Sequence, residues 1–279
     1  MNRRITVFFG AVSCFIAAYA QGEIDLQPKV FYRNEWSLAP MINSNGWGAN
    51  YRFGEHLNAA DKRLFEVDFA YMKNPKERKD YVQGYSNARY VEGKKNLAFD
   101  FRFGYGKQHE MFRKHDVGGV AIRYFYNFGP SLVLLKPIYY VVGEFEYIYG
   151  TDYGNWKQFP AEKYNPEWMS KNLRILSRAS FFKGFDEMGI VPGAFAKFGF
   201  NFEFGKEDRN IQALEAGVIA EGFVKKIEIM DFTYLGSEQR KIAQNRQVFL
   251  TIFISVRFGK IVDPYEMKKK RERSKEISY

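Results

Sequence analysis

Cysteine is all but missing from this 279-residue chain: the single one, Cys14, lies in a stretch with the marks of an export leader. Once that leader is removed, the chain can form no disulfide and no thiolate metal site. Histidine is scarce as well. His56, His109 and His115 all fall in predicted loops, and none has the spacing of a His-Glu-x-x-His zinc helix. No Gly-x-Ser-x-Gly elbow occurs, and Gly104-Tyr105-Gly106 lacks the third glycine and the following helix of a dinucleotide fingerprint. These absences predict no catalytic residue, no metal and no cofactor. Beyond the leader there is no run of about 18 apolar residues, and mean hydropathy is -0.41, so membrane-spanning helices are excluded.

Aromatics are what the chain has in excess: 18% of residues, with 28 Phe and 19 Tyr. The clearest use of them is Val248 to Phe258. Val248, Leu250, Ile252, Ile254, Val256 and Phe258 fall on one face, while Phe249, Thr251, Phe253, Ser255 and Arg257 fall on the other. Side chains of a strand alternate between faces, so this pattern is a strand with one face toward something wholly apolar. A barrel wall hides its apolar residues at every second position, which reconciles low hydropathy with residence in a membrane.

The leader consists of Arg3 and Arg4, the apolar run Ile5 to Ile16, and Ala18-Tyr19-Ala20 before Gln21. That is the order of a cleaved secretory signal over residues 1–20. A lipoprotein signal ending at Cys14 is the rival, but it would cut the apolar run short. Loss of Arg3 and Arg4 takes the formal charge from +10 to +8. A basic, aromatic-rich chain can bind nucleic acid; export from the cytoplasm argues against that partner here.

Alternating segments recur at 47–54, 64–72, 97–105, 120–128, 194–204 and 211–226, and Val30 to Ile42 reads as a strand before the turn Asn43-Ser44-Asn45-Gly46. Gly129-Pro130 reads as a tight break, followed by a strand at 132–142 that is apolar on both faces except at Lys136. With the last strand these make nine, and bacterial barrels normally have an even number. Leu173 to Phe182, a strand or a short helix, would make ten. The expectation is an all-β, antiparallel transmembrane β-barrel of 8–10 strands, leaning to ten, over residues 21–259. One long loop, 144–190, is rich in aromatics and irregular, and loops of that length usually carry function or fold by themselves. Its aromatics stack on sugars or a partner, or its early tyrosines, Tyr147 and Tyr149, belong to the interfacial girdle. Residues 260–279 carry seven bases and four acids and read as a basic periplasmic tail, solvated or docking.

The inward positions hold charge. Glu66, Asp68, Asp100, Glu203, Glu215 and Glu221 are the acids; Arg52, Arg102, Arg123, Lys197, Lys225 and Arg257 are the bases. Such a set serves as a proton relay or solute path, or fills a narrow barrel as paired ions. The equal numbers favour pairing, because buried charges must be compensated.

Tyr32-Arg33-Asn34-Glu35, Asn45-Gly46 with Gly48 and Tyr51-Arg52, Lys62-Arg63-Leu64-Phe65-Glu66, Lys73-Asn74-Pro75-Lys76-Glu77 and Arg257-Phe258-Gly259-Lys260 carry a resemblance. On them the chain resembles an uncharacterised family of outer-membrane β-barrel proteins of Bacteroidetes-type bacteria. The resemblance spans most of the mature chain and implies outer-membrane location and barrel fold. It brings no catalytic residue with it. The expected function is a non-enzymatic structural or accessory part of an envelope assembly, such as protein secretion or outer-membrane biogenesis. Its expected partners are outer-membrane lipid and an envelope protein. A small-solute pore is the first alternative. A lipid-modifying enzyme with a triad assembled in space is the second.

Overall fold

A computed structural model of the chain describes residues 34–81, 89–114, 119–147, 149, 154–171, 173–205, 210–235, 239–242 and 245–262. The predicted leader and all but the first three residues of the predicted tail lie outside them, as do His115 and the turn at 206–209.

Eight strands close into an antiparallel barrel. In chain order they are β1 (Asn34–Asn43), β2 (Gly46–His56), β3 (Asp61–Met72), β4 (Asn96–Phe112), β5 (Ala121–Pro137), β6 (Gly189–Glu203), β7 (Asn210–Phe223) and β8 (Val248–Val262). Each pairs with the next, and β8 pairs with β1.

The count is eight rather than ten: the strand expected at 173–182 lies outside the wall, and two others are one strand, β5. Gly129-Pro130 is not a break. Pro130 sits in mid-strand opposite Ala194. On the other side, the ladder to β4 skips from Arg102–Ser131 to Tyr105–Phe128, because proline has no N–H to give it. Gly129 is needed there: a Cβ would lie 2.0 Å from the Phe103 carbonyl oxygen. The predicted strands 120–128 and 132–142 are therefore one strand, with its end cut back to Pro137. The seam between β1 and β8 shows the same device. Its ladder skips from Leu38–Phe258 to Met41–Ser255 around Pro40. The β1–β2 turn closes as its Asn-Gly signal implies. Gly46 has φ +154°, and a Cβ there would lie 1.9 Å from the Tyr71 carbonyl oxygen.

Alternation sorts the side chains as the period of two requires. On β8 Leu250 is 75% exposed and Ile252 62%, while Phe253 between Ile252 and Ile254 is 1% exposed. Trp36, Ile42, Trp47, Tyr51, Phe65, Phe103, Phe128, Phe198 and Phe258 continue the exposed apolar surface around the wall. A soluble domain would not leave such a surface bare. No described helix is long and apolar enough to cross a membrane.

Apart from the two-residue β1–β2 turn, the connections segregate by length. At one end lie the β1–β2 turn and the segments 73–95, 138–188 and 224–247. At the other lie the short links 57–60, 113–120 and 204–209, together with the start of β1 and the end of β8.

The long segments are not irregular. Residues 79–81 and 89–91 form a hairpin, as do 232–235 and 239–242. The segment after β5 folds into a four-stranded sheet of Tyr139–Tyr147, Gly154–Gln158, Glu162–Lys163 and Arg174–Arg178, with a 3-10 turn at Pro166–Lys171. Thus Leu173 to Phe182 holds a short strand outside the wall. Tyr140, Tyr164 and Trp168 pack edge to face with centroids 5.6–6.2 Å apart. With Ile138, Val142 and Ile175 they bury Leu97, which faces outward on β4. The sheet therefore covers the outer side of the wall near its rim. Part of the aromatic content is core, and part is surface: Phe145 lies 5.0 Å from Tyr147 and 5.1 Å from Trp156, and Tyr147 is 74% exposed.

Candidate functional site: the barrel interior

Charged, polar and apolar side chains are buried inside the barrel at successive levels. At the long-loop mouth, the segment after β7 turns back, and Ile227, Ile229 and Met230 pack against Met72, Ala98, Val133, Val191 and Phe223 from the wall. Backbone bonds fix this stopper: Lys95 N–H donates to the Ile229 carbonyl at 2.9 Å, and Asp231 N–H to that of Gly93 at 2.8 Å.

Below it lies the first ion cluster. Arg102 donates through Nε and Nη2 to Glu221 at 2.6 and 3.0 Å, and its Nη2 is 2.6 Å from Asp100. The next layer joins three strands. Lys197 Nζ donates to Glu66 at 3.0 Å and to Asp68 at 3.1 Å, and Asn50 donates to Asp68. Arg52 donates to Glu66, and also to Glu215 at 2.6 Å. Glu215 is the hub. It accepts from Arg257 Nε and Nη2 at 2.9 and 2.8 Å and from Asn201 at 2.8 Å. Arg257 also donates to Ser37 at 2.9 Å and to Asn50.

Apolar rings separate these layers. Phe125 and Phe253 lie 6.4 Å apart; Arg52 sits 4.4 Å over the first and Lys197 5.0 Å from the second. Such cation–ring contacts strengthen as water is excluded. At the short-link mouth, Lys62 pairs with Glu35 at 2.5 Å, and Arg123 pairs with Glu203 and, at 2.9 Å, with Glu110.

Eleven of the twelve expected interior charges are thus brought together. Nine are buried: Arg52, Glu66, Asp68, Asp100, Arg102, Lys197, Glu215, Glu221 and Arg257. Arg123 and Glu203 meet at the mouth. Lys225 is the correction. Strand β7 ends at Phe223, so the inward parity assigned to Lys225 does not reach it, and it lies exposed. Sequence reasoning missed the polar partners Ser37, Asn50 and Asn201, whose signal was their parity with charged neighbours. It also missed the stopper, which carried a signal in the apolar alternation of Ile227 and Ile229.

The histidine reading changes too. His56 ends β2 and His109 lies within β4. His109 Nδ1 is 2.7 Å from Asp61 Oδ1, and its ring is 5.3 Å from Tyr124. Among the described residues, no group of three His, Cys, Asp or Glu is placed to hold a metal ion.

Together these features define a closed eight-stranded β-barrel with buried ion pairs in its interior and a folded sheet at one end. No family model and no curated protein sequence matches the chain. Among solved structures it is similar to the crystal structure of Neisserial surface protein A (NspA). The match covers 82% of this chain and 96% of that one, at 7% identity and a TM-score of 0.36. A likeness this remote carries no argument about function.

Proposed function

We propose that the protein is an integral outer-membrane β-barrel that works through its outer and extramembrane surfaces, as a non-enzymatic structural or accessory part of an envelope assembly. The observation that carries this reading is the buried, ion-paired and stoppered interior beneath a separately folded sheet. A conduit needs continuous water, whereas here ion pairs, rings and the Ile227-Ile229-Met230 stopper occupy the path. Membrane residence rests on the continuous exposed apolar wall, and it agrees with the family resemblance and the secretory leader. Barrels of this kind carry short turns on the periplasmic side and long loops outside. On that pattern we read the start of β1 and the end of β8 as periplasmic and the folded sheet as facing the cell surface.

The test is purification of the tagged full-length chain from its native outer membrane in mild detergent, followed by identification of stoichiometric partners. A constant envelope protein partner is expected. A lone barrel that conducts ions steadily in a planar bilayer overturns the reading in favour of a pore.

A further inference from the structure

Outside the barrel, a cleft of about 600 Å³ opens at the long-loop end between the β1–β2 turn, the 79–91 hairpin and the sheet after β5. Its floor is Tyr71, which faces outward on β3. That ring is half-buried at the upper edge of the aromatic wall, 6.0 Å from the exposed Trp47 and 5.6 Å from Phe99. The cleft therefore begins where the apolar wall stops.

Its charge is one-sided. Lys73, Lys79, Arg89, Lys94 and Arg178 line it, against the single carboxylate of Glu77. That carboxylate is fully used: Oε2 accepts from Lys94 at 2.7 Å and Oε1 from the Asn74 backbone at 3.0 Å. Lys94 is itself buried and also donates to the Tyr71 hydroxyl at 2.9 Å. Lys73, Lys79, Arg89 and Arg178 are exposed, and no ion pair joins them to a described carboxylate. Four cations without an ion pair among the described residues, held around one cavity, repel one another, and an anion between them relieves that repulsion. Guanidinium and ammonium groups together match phosphate oxygens.

We propose that this cleft binds the phosphorylated headgroup of a membrane lipid, with the acyl chains lying down the aromatic wall below Tyr71. Phosphate chemistry alone would also admit free phosphate; the position of the cleft, directly above an apolar wall, selects the lipid. The proposal rests on the membrane reading above.

The test uses the full-length protein in phosphatidylcholine nanodiscs with and without diphosphorylated lipid A, read by native mass spectrometry after detergent release. The wild type is expected to retain lipid A, and to lose it with rising salt. The triple variant Lys79→Ala/Arg89→Ala/Arg178→Ala is expected to bind on the order of a hundredfold more weakly. Inorganic phosphate at millimolar concentration is expected neither to bind nor to displace the lipid.

Equal retention by the variant would mean general adsorption to the wall and overturn the proposal. Displacement by inorganic phosphate would reassign the cleft to a soluble anion. Heat-modifiable gel mobility of both proteins reports folding independently. A wild type that folds but does not enter nanodiscs removes the membrane reading itself, and this proposal with it.

Discussion

Replacing Glu215 by Gln removes one charge from the centre of the barrel while keeping its volume. Two guanidiniums, those of Arg52 and Arg257, point at that carboxylate from 2.6 to 2.9 Å, and Glu215 is 0% exposed. At an effective dielectric of about 20, unit charges about 4 Å apart attract by about 4 kcal/mol. Two such attractions offset the desolvation of the three ions, which costs several kcal/mol each. With Gln, both arginines stay buried but lose their common charged partner. Removing one member of a buried pair costs about 3–5 kcal/mol, and the shared geometry puts Glu215→Gln at the upper end of that range. The control is Glu146→Gln, whose partner Lys157 lies 3.1 Å away in a pair more than half exposed; its expected effect is about 0–1 kcal/mol. Urea titration in lipid vesicles, followed by gel mobility and tryptophan fluorescence, measures both. A Glu215→Gln loss no larger than that of the control would refute the reasoning. It would mean that water reaches the carboxylate and that the interior is a hydrated lumen.

Two further predictions concern the sheet at the rim. Trp168→Ala removes a buried indole from the Tyr140–Tyr164 cluster. It is expected to destabilise that sheet by about 3–5 kcal/mol while the barrel keeps its heat-modifiable mobility; limited proteolysis should cut within 138–188 and spare the wall. Glu187 accepts from Lys163 and from Tyr139, both at 2.7 Å, and these bonds, the lysine's first, hold its carboxyl below the usual carboxylate range. A lowered carboxyl contributes stability above the ordinary range and loses it as pH falls through the lowered value. The Lys163–Glu187 tie should therefore survive through the ordinary glutamate range and open only below it. The carboxyl-carbon NMR shift of Glu187 follows this directly, and an ordinary midpoint would contradict it.

The wall was legible because the chain must satisfy two environments at alternate residues. Val248 to Phe258 shows that requirement without interruption, and its inward and outward sets appear in the structure as read. Where local chemistry and tertiary pairing disagree, the reading failed. Gly129-Pro130 has the composition of a turn, yet β4 and β6 hold it extended from both sides at the cost of two register pairs on the β4 side. The ion network was legible as a set, because parity places charges inside. Its geometry was not: Glu215 meets Arg52 and Arg257 only because the wall closes on itself. Lys225 failed because parity was carried two residues past the end of a strand. The rim sheet was hidden because its strands run from two to nine residues, too short for alternation to stand out among so many aromatics.

The skipped rung at Pro40 bears on how the wall can open. There the first and last strands lack two of their register partners, and the side chain opposite the gap is Arg257. Its guanidinium reaches Ser37 on β1 and Asn50 on β2 while clamped to Glu215 on β7. One residue thus latches four neighbouring staves from within, at the joint where the backbone holds least. To part them sideways, so as to admit a lipid or a foreign strand, the joint would have to strip a guanidinium from its carboxylate while both are buried. The seam with the fewest register partners is thus the one that Arg257 ties across from within.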